Sequence, residues 1–380
     1  MWLTSSSVGR KFIMALTGIC LVLFVTFHCL MNSVAILWPA AYNVICEFLG
    51  ANWYALVASM GLALLFIIHI IYAICLTLQN RKARGNDRYA INGAAPGVEW
   101  SSKNMLVLGI VVLAFLVVHL INFWSKMQLV EVLGCHDTLP PAAGTLFIQE
   151  AFSQIYVPIV YIIGFVALWF HMNHGFWSMF QTIGWDSTVW IPRWKKIGCW
   201  WTSIVIALFV IQAVVFTVRA NEGFYKTDPA LQDQYAKMEA EQLTDIFGEG
   251  IAQQANYQAI ETLAAQVAQQ PMVIAQVTMQ NPALNAQEVA EKFISVANFV
   301  NYLNAGTDKP QIDTKALEEL AKNGMPQMNP MMMGAPAPGP QAQQAPQGQE
   351  VEPAPSPEQQ AADDAPAMEP AAAENNANNK

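Results

Sequence analysis

The sequence predicts an all-α membrane protein: a bundle of five transmembrane helices, followed by a C-terminal extension that is first helical and then disordered. Composition and patterning carry this expectation. Hydrophobic residues fill 54% of the 380 positions and charged residues 12%, with a mean hydropathy of +0.29, more apolar than a soluble chain of this length usually is. Five apolar runs, roughly 12–37, 53–78, 104–124, 152–180 and 197–218, can each cross ~30 Å of hydrocarbon, for which about 20 helical residues suffice. The formal charge of −9 is also unevenly spread. Residues 1–220 hold twelve basic and seven acidic side chains, a net of +5, whereas residues 221–380 hold seven and twenty-one, a net of −14. Such a split separates a membrane domain, 1–220, from an acidic extramembrane part.

The first run follows Arg10 and Lys11, as the apolar segment of a secretory signal would. It is far longer than such a segment, and no small-residue cleavage site follows it, so it is expected to stay as a membrane span. Trp38, Trp53, Trp100, Trp124, Trp177, Trp194 and Trp200 fall near the ends of runs, where interfacial aromatic belts lie. Basic residues cluster at the N-terminus, in the second-to-third connection (Arg81, Lys82, Arg84, Arg88, Lys103) and in the fourth-to-fifth (Arg193, Lys195, Lys196). The other two loops offer Lys126 against Glu47, Glu131, Asp137 and Glu150. The positive-inside rule therefore places the N-terminus in the cytoplasm, and five spans put the C-terminal extension on the opposite, periplasmic side of a bacterial cytoplasmic (inner) membrane.

Within the extension, residues 221–324 are rich in Ala, Gln, Glu and Leu and predict helices. Residues 325–380 are Pro, Ala, Gln and Met, too poor in large apolar side chains to build a core, and predict disorder. The extension contains no histidine, cysteine or tryptophan. It is expected to take no part in the chemistry of the spans and to be removable from about Tyr225 onward without loss of it.

The six cysteines are Cys20, Cys29, Cys46, Cys75, Cys135 and Cys199, and none forms a C-x-x-C pair. That excludes the usual zinc-ribbon, thioredoxin-type and c-type haem motifs. Cys46 and Cys135 both fall in loops on the outer side, where a disulfide between them can persist.

The histidines carry the chemistry. His28, His69, His119 and His171 lie one to a span in the first four spans, with His174 three residues beyond the last; His136 lies in a polar loop. Imidazole within a bilayer is costly and marks a functional site by default. His28 and His119 lie about 17 and 15 residues from the cytoplasmic ends of their spans, and His69 and His171 about 10. At 1.5 Å per residue these are depths of ~22–25 Å and ~15 Å. Four histidines thus form two pairs, each joining helices of the same direction, which are diagonal neighbours in an up-down bundle. A haem between such helices takes one imidazole on each face of its iron. Spacing alone leaves His171 and His174 both open as the fourth ligand.

The first ~220 residues resemble the two-haem cytochrome b membrane anchors of succinate:quinone oxidoreductases and fumarate reductases. The resemblance rests on Phe24-Val25-Thr26-Phe27-His28-Cys29-Leu30-Met31-Asn32 and on His69 followed by Asn80-Arg81-Lys82-Ala83-Arg84. Val118-His119-Leu120-Ile121-Asn122-Phe123, and His171 with Gly175, Trp177 and Gly184-Trp185, complete it. It implies that His171, in an H-x-x-x-G segment, is the fourth ligand. His69 and His171 would then hold the haem b nearer the soluble subunits, and His28 and His119 the distal haem b. It also implies a flavoprotein carrying FAD and an iron–sulfur subunit as partners, with the dicarboxylate chemistry of succinate dehydrogenase or fumarate reductase on the partner side. This chain has no dinucleotide-binding glycine motif or cluster-binding cysteines of its own. Its task would be electron transport to or from a membrane quinone, usually menaquinone, in a respiratory chain that succinate oxidation joins to the tricarboxylic acid cycle. No nucleic acid partner is expected. Relatives place a quinone-site carboxylate at the outer end of span two; the nearest match is Glu47, a few residues off. Where some relatives carry an acid two residues before the fourth ligand, this chain has Trp169.

Two rival readings predict other patterns. A cytochrome b of another respiratory quinone oxidoreductase, of the cytochrome c reductase kind, carries two histidines on each of two helices, not one on each of four. A non-redox transporter using histidines as proton relays predicts inverted repeats or broken helices, and the sequence contains neither.

Overall fold

The computed structural model describes residues 6–84, 99–133 and 139–324, which belong to one unit. Among the described residues there is no strand. Five helices have the length and composition of membrane spans: α1 (Ser7–Leu37), α3 (Trp53–Arg84), α4 (Trp100–His119), α7 (Tyr156–Thr182) and α8 (Trp190–Asn221). The third span continues through a π-helical turn, Leu120–Trp124. Short helices α2 (Pro39–Ala51), α5 (Gln128–Leu133) and α6 (Gly144–Phe152) lie in the first-to-second and third-to-fourth connections. The chain is therefore a multi-pass membrane protein.

Local chemistry sets several boundaries. Ser6 caps α1, its hydroxyl accepting the Gly9 N–H at 2.9 Å. Pro39 opens α2 at a position where its missing N–H costs nothing, and it forces Trp38 into a non-helical conformation (φ −150°) that ends α1. The helices depart from the apolar runs by a few residues at several ends, and two starts show why. The fourth begins at Tyr156 rather than at 152, because Phe152 belongs to α6 and is buried there. The fifth begins at Trp190 rather than at 197, since Arg193, Lys195 and Lys196 continue the helix past its apolar stretch.

Helix α7 is the hub, packed along α8, α4 and α1. Glycines permit the closest approaches: the Phe115 ring of α4 covers Gly164, and a Cβ at Gly198 of α8 would lie 2.7 Å from the Phe176 ring. By contrast α3 leans on α1, has little contact with α4, and leaves its outer face to lipid. The diagonal helices α1 and α4 hardly touch through their backbones, and neither do α3 and α7.

The extension folds as α9 (Phe224–Thr227), α10 (Pro229–Glu241), α11 (Thr244–Phe247), α12 (Gly250–Gln254), α13 (Tyr257–Gln269), α14 (Met272–Gln280), α15 (Ala286–Asn304) and α16 (Lys315–Asn323). Amphipathic α13 and α15 pack together, and α16 closes over them through Leu317 and Leu320. The extension packs against the membrane domain rather than standing apart from it as its charge suggests. Tyr225, Leu231, Tyr235 and Phe293 share one apolar core with Phe147 and Ile148 of α6 and Phe209 and Phe216 of the fifth span. A buried polar network joins the same parts: Asn43 Oδ1 accepts both the Thr145 N–H (3.0 Å) and hydroxyl (2.8 Å), and Asn43 Nδ2 donates to Gln234 at 3.0 Å. Tyr235 lies 2.6 Å from the Thr145 hydroxyl and donates to the Tyr225 carbonyl at 3.1 Å. The charge pattern misses this because the acids sit on outer faces while the apolar faces of the extension helices turn inward.

One acid is the exception. Glu239 on α10 is 3% exposed, accepts from Gln242 and Ser295, and is pushed by burial up to about 8. Its folded value lies above the ordinary 4.5, so the folded chain holds a proton that the unfolded chain releases between those limits. Stability of the extension is then greatest below pH 4.5 as far as this group is concerned, and falls as pH rises toward 8. Glu239→Gln is expected to remove that slope, at most about 1.4 kcal/mol per pH unit, with thermal unfolding of the detergent-solubilised protein as the measurement. An unchanged slope would show that Glu239 is ionised in place.

Candidate functional site

Four spans bring the intramembrane histidines together two by two. His28 of α1 meets His119 of α4, ring centroids 5.7 Å apart and planes at 86°. His69 of α3 meets His171 of α7 at 6.2 Å and 60°. These are the two pairs that depth along the helices singles out. Each bridges diagonal helices whose backbones stand apart, so the imidazoles span a gap that close packing leaves open.

The ring separations lie within ordinary edge-on contact, roughly 4.5–7 Å, and they also suit two imidazoles holding a single metal ion. With metal–imidazole bonds of about 2.0–2.1 Å and half a ring beyond each nitrogen, two imidazoles on opposite faces of one ion put their centroids ~6 Å apart. Among the described residues no group of three or more His, Cys, Asp or Glu gathers as a metal site. Pairs of imidazoles suit a group that brings its other four ligands with it, and the residues present fit a haem.

The surroundings of the pairs differ. The pair nearer the extension, His28 and His119 (the outer pair; His69 and His171 are the inner one), sits among aromatic rings: His28 stacks on Phe24 at 5.4 Å, and His119 is flanked by Phe123 at 5.4 Å and by Phe115 and Tyr161 at 6.0 Å. Tyr161 Oη lies 3.3 Å from His119 Nδ1 and accepts from Asn122 Nδ2 at 3.4 Å. At the inner pair, Thr17 Oγ1 lies 3.1 Å from His69 Nδ1. The Nδ1 of His171 is buried without a hydrogen-bond partner, and Gly109 of α4 lies beside its ring, where a Cβ would make an ordinary 3.8 Å contact with Cε1.

His174 turns elsewhere. Its Nδ1 lies 3.6 Å from Glu99, which pairs with Lys195 at 2.7 Å, and its ring meets Trp177 edge-on. His171 is therefore the α7 imidazole that faces His69.

Glu47 is exposed on α2. Together with burial, it raises the carboxyl of Glu241 in the extension. A different acid lies near the outer pair: Glu150 pairs with Lys126 at 2.5 Å, and both line a cavity of about 180 Å³ with Asn122, Gln154 and Tyr156. Asn122 connects this cavity to Tyr161 and so to His119. Cys46 is a free thiol beside Tyr42 and the backbone N–H of Gly144, and burial pushes it up to about 12. Cys135 and His136 lie outside the described residues, as does the stretch 325–380.

Sequence reasoning missed Thr17, Tyr161, Asn122 and the π-turn that begins immediately after His119. Signals existed for some of them. Tyr161 is a phenol in an apolar span ten residues before His171, which places it ~15 Å further along the bundle, toward the end where His119 lies. Asn122 follows His119 by three residues, close to one helical turn. The π-turn, a feature that often marks functional sites, left no trace in the composition.

No protein-family model, no curated protein and no solved structure matches this chain.

Proposed function

We propose that this chain is the membrane-anchor cytochrome b subunit of a succinate:quinone oxidoreductase or fumarate reductase, with two bis-histidine haem b groups. The supporting observation is the pair of facing imidazole couples at two depths, each spanning helices that otherwise stand apart. Haem supplies one-electron redox chemistry at each site, and the chain's residues hold and insulate it. His69 and His171 hold the group nearer the N-terminal end of the bundle, and His28 and His119 the one nearer the extension. On this reading electrons pass between an iron–sulfur subunit at the cytoplasmic end, itself served by an FAD flavoprotein, and menaquinone or another quinone in the bilayer. Aromatic side chains around the outer pair exclude water and lower the local dielectric, which is one of the levers on such potentials. For proton exchange at the outer end, Glu150 and Lys126 are better placed than Glu47, because their cavity reaches the outer pair through Asn122 and Tyr161. The membrane is the bacterial cytoplasmic one, with the N-terminus inside and the extension outside.

Purification through a tag on this chain tests the reading. The expected result is a reduced b-type absorption band at two haems per chain, with flavin and iron–sulfur subunits in the same fraction. A colourless protein would end it. Two haems with some other soluble partner would keep the cytochrome and discard the succinate–fumarate assignment.

A further inference from the structure

Each imidazole pair contains one ring whose Nδ1 meets a side-chain oxygen. At the inner pair that ring is His69. Thr17 is 4% exposed, and its one hydroxyl proton is directed to the carbonyls of Ile13 and Met14, both at 3.0 Å. Its oxygen is then left to accept, and the donor at 3.1 Å is His69 Nδ1–H. At the outer pair the ring is His119, with Tyr161 Oη 3.3 Å away. Tyr161 is itself fixed by Asn122 and by edge-on packing against Phe115, Phe152 and Phe165. The other members lack such an anchor of the same kind in what surrounds them: His171 Nδ1 is buried unpartnered, and His28 is held by stacking on Phe24.

The geometry points to Thr17 and Tyr161 as positioning residues, one for each haem, that hold the Nδ1 proton of His69 and His119 so that Nε2 is the nitrogen offered to iron. This rests on the haem reading of the pairs. An imidazole whose Nδ1–H donates a hydrogen bond is fixed in orientation and tautomer and is a more basic ligand, which favours the oxidised metal. Removing the acceptor therefore raises the potential of the haem concerned and leaves the other alone. That selectivity is what a general packing defect would not reproduce.

The test is redox titration of both haem bands in the intact complex, with low-spin ferric EPR signals as a second readout. The haem absent in His69→Ala identifies the inner band. Thr17→Val is expected to shift the inner haem about tenfold toward the reduced form at a fixed ambient potential, ~59 mV for one electron, with the outer haem unmoved. Tyr161→Phe, which keeps the ring and its packing, is expected to do the same to the outer haem only. Thr17→Ser is expected to restore the wild-type potential. Two haems with unmoved potentials and EPR signals in both variants, or both haems shifting alike, would overturn the inference while leaving the haem reading intact. A wild-type chain without haem would overturn the haem reading, and this inference with it.

Discussion

Alanine at His69 or at His171 is expected to leave one haem per chain, and the surviving haem should be the same in both variants. Alanine at His28 or His119 should leave the other. The reason is geometric: on the haem reading each iron would be held by one imidazole from each of two helices that make little backbone contact of their own. Removing one imidazole takes away one of two protein bonds to the metal and opens a void in the gap between those helices. Loss of an interaction one shell further out typically costs 10–100-fold in metal affinity, and loss of a ligand costs more. Double variants sharpen the result. His28→Ala with His119→Ala should lose no more haem than either alone, since both act on one site, whereas His28→Ala with His69→Ala should lose both haems. His174→Ala should keep both, because that ring faces Glu99 and Trp177. Haem content per chain, by absorbance of the reduced pyridine adduct, decides among these outcomes. Loss of a haem in His174→Ala but not in His171→Ala would reverse the assignment of the α7 ligand.

Much of this arrangement was legible in the sequence because membranes make sequences explicit. An apolar run of fixed minimum length must be a helix, and a titratable side chain inside one stands out against its surroundings. Depth along the helix then follows from counting, which is why the pairing of His28 with His119 and of His69 with His171 could be expected. Lateral relationships are another matter. That Tyr161 reaches His119, or that Thr17 reaches His69 across 52 residues, depends on helix rotation, which residue spacing along one helix does not set. Nor could residue type separate Glu47 from Glu150: both are loop acids, and only packing shows one exposed and the other lining a cavity beside Asn122. The extension misled for a further reason. Its net charge of −14 carries no information on packing, while its attachment depends on a few apolar residues, Leu231, Tyr235 and Phe293 among them, that charge counting ignores.

Cutting the chain after Thr227 is therefore expected to cost the membrane domain much of its stability, and with it bound haem, although none of the described residues of the extension touches an imidazole pair in the ways given above. The cut removes Leu231, Tyr235, Phe293 and Val296, each no more than 2% exposed, from the core they share with α6 and the fifth span. Each large apolar side chain so removed takes with it about 1.5–3 kcal/mol of burial, against a total stability of about 5–15 kcal/mol for a typical domain. The cut also strips Gln234 and Tyr235 from Asn43 and Thr145, both fully buried, so polar groups that were satisfied by the extension face its empty footprint. The damage should be graded along the chain. Ending at Gly324 keeps every described helix and should preserve haem content and thermal stability. Ending at Thr227 should lower both, and the outer haem should go first, because Tyr161, Phe152 and Phe216 belong to the same continuous core as the extension. Haem retained per chain on heating, compared across the two truncations, measures the gradient. A chain ending at Thr227 that kept both haems to the wild-type temperature would show that the spans hold their shape alone, and that the shared core stabilises the extension without stabilising the bundle.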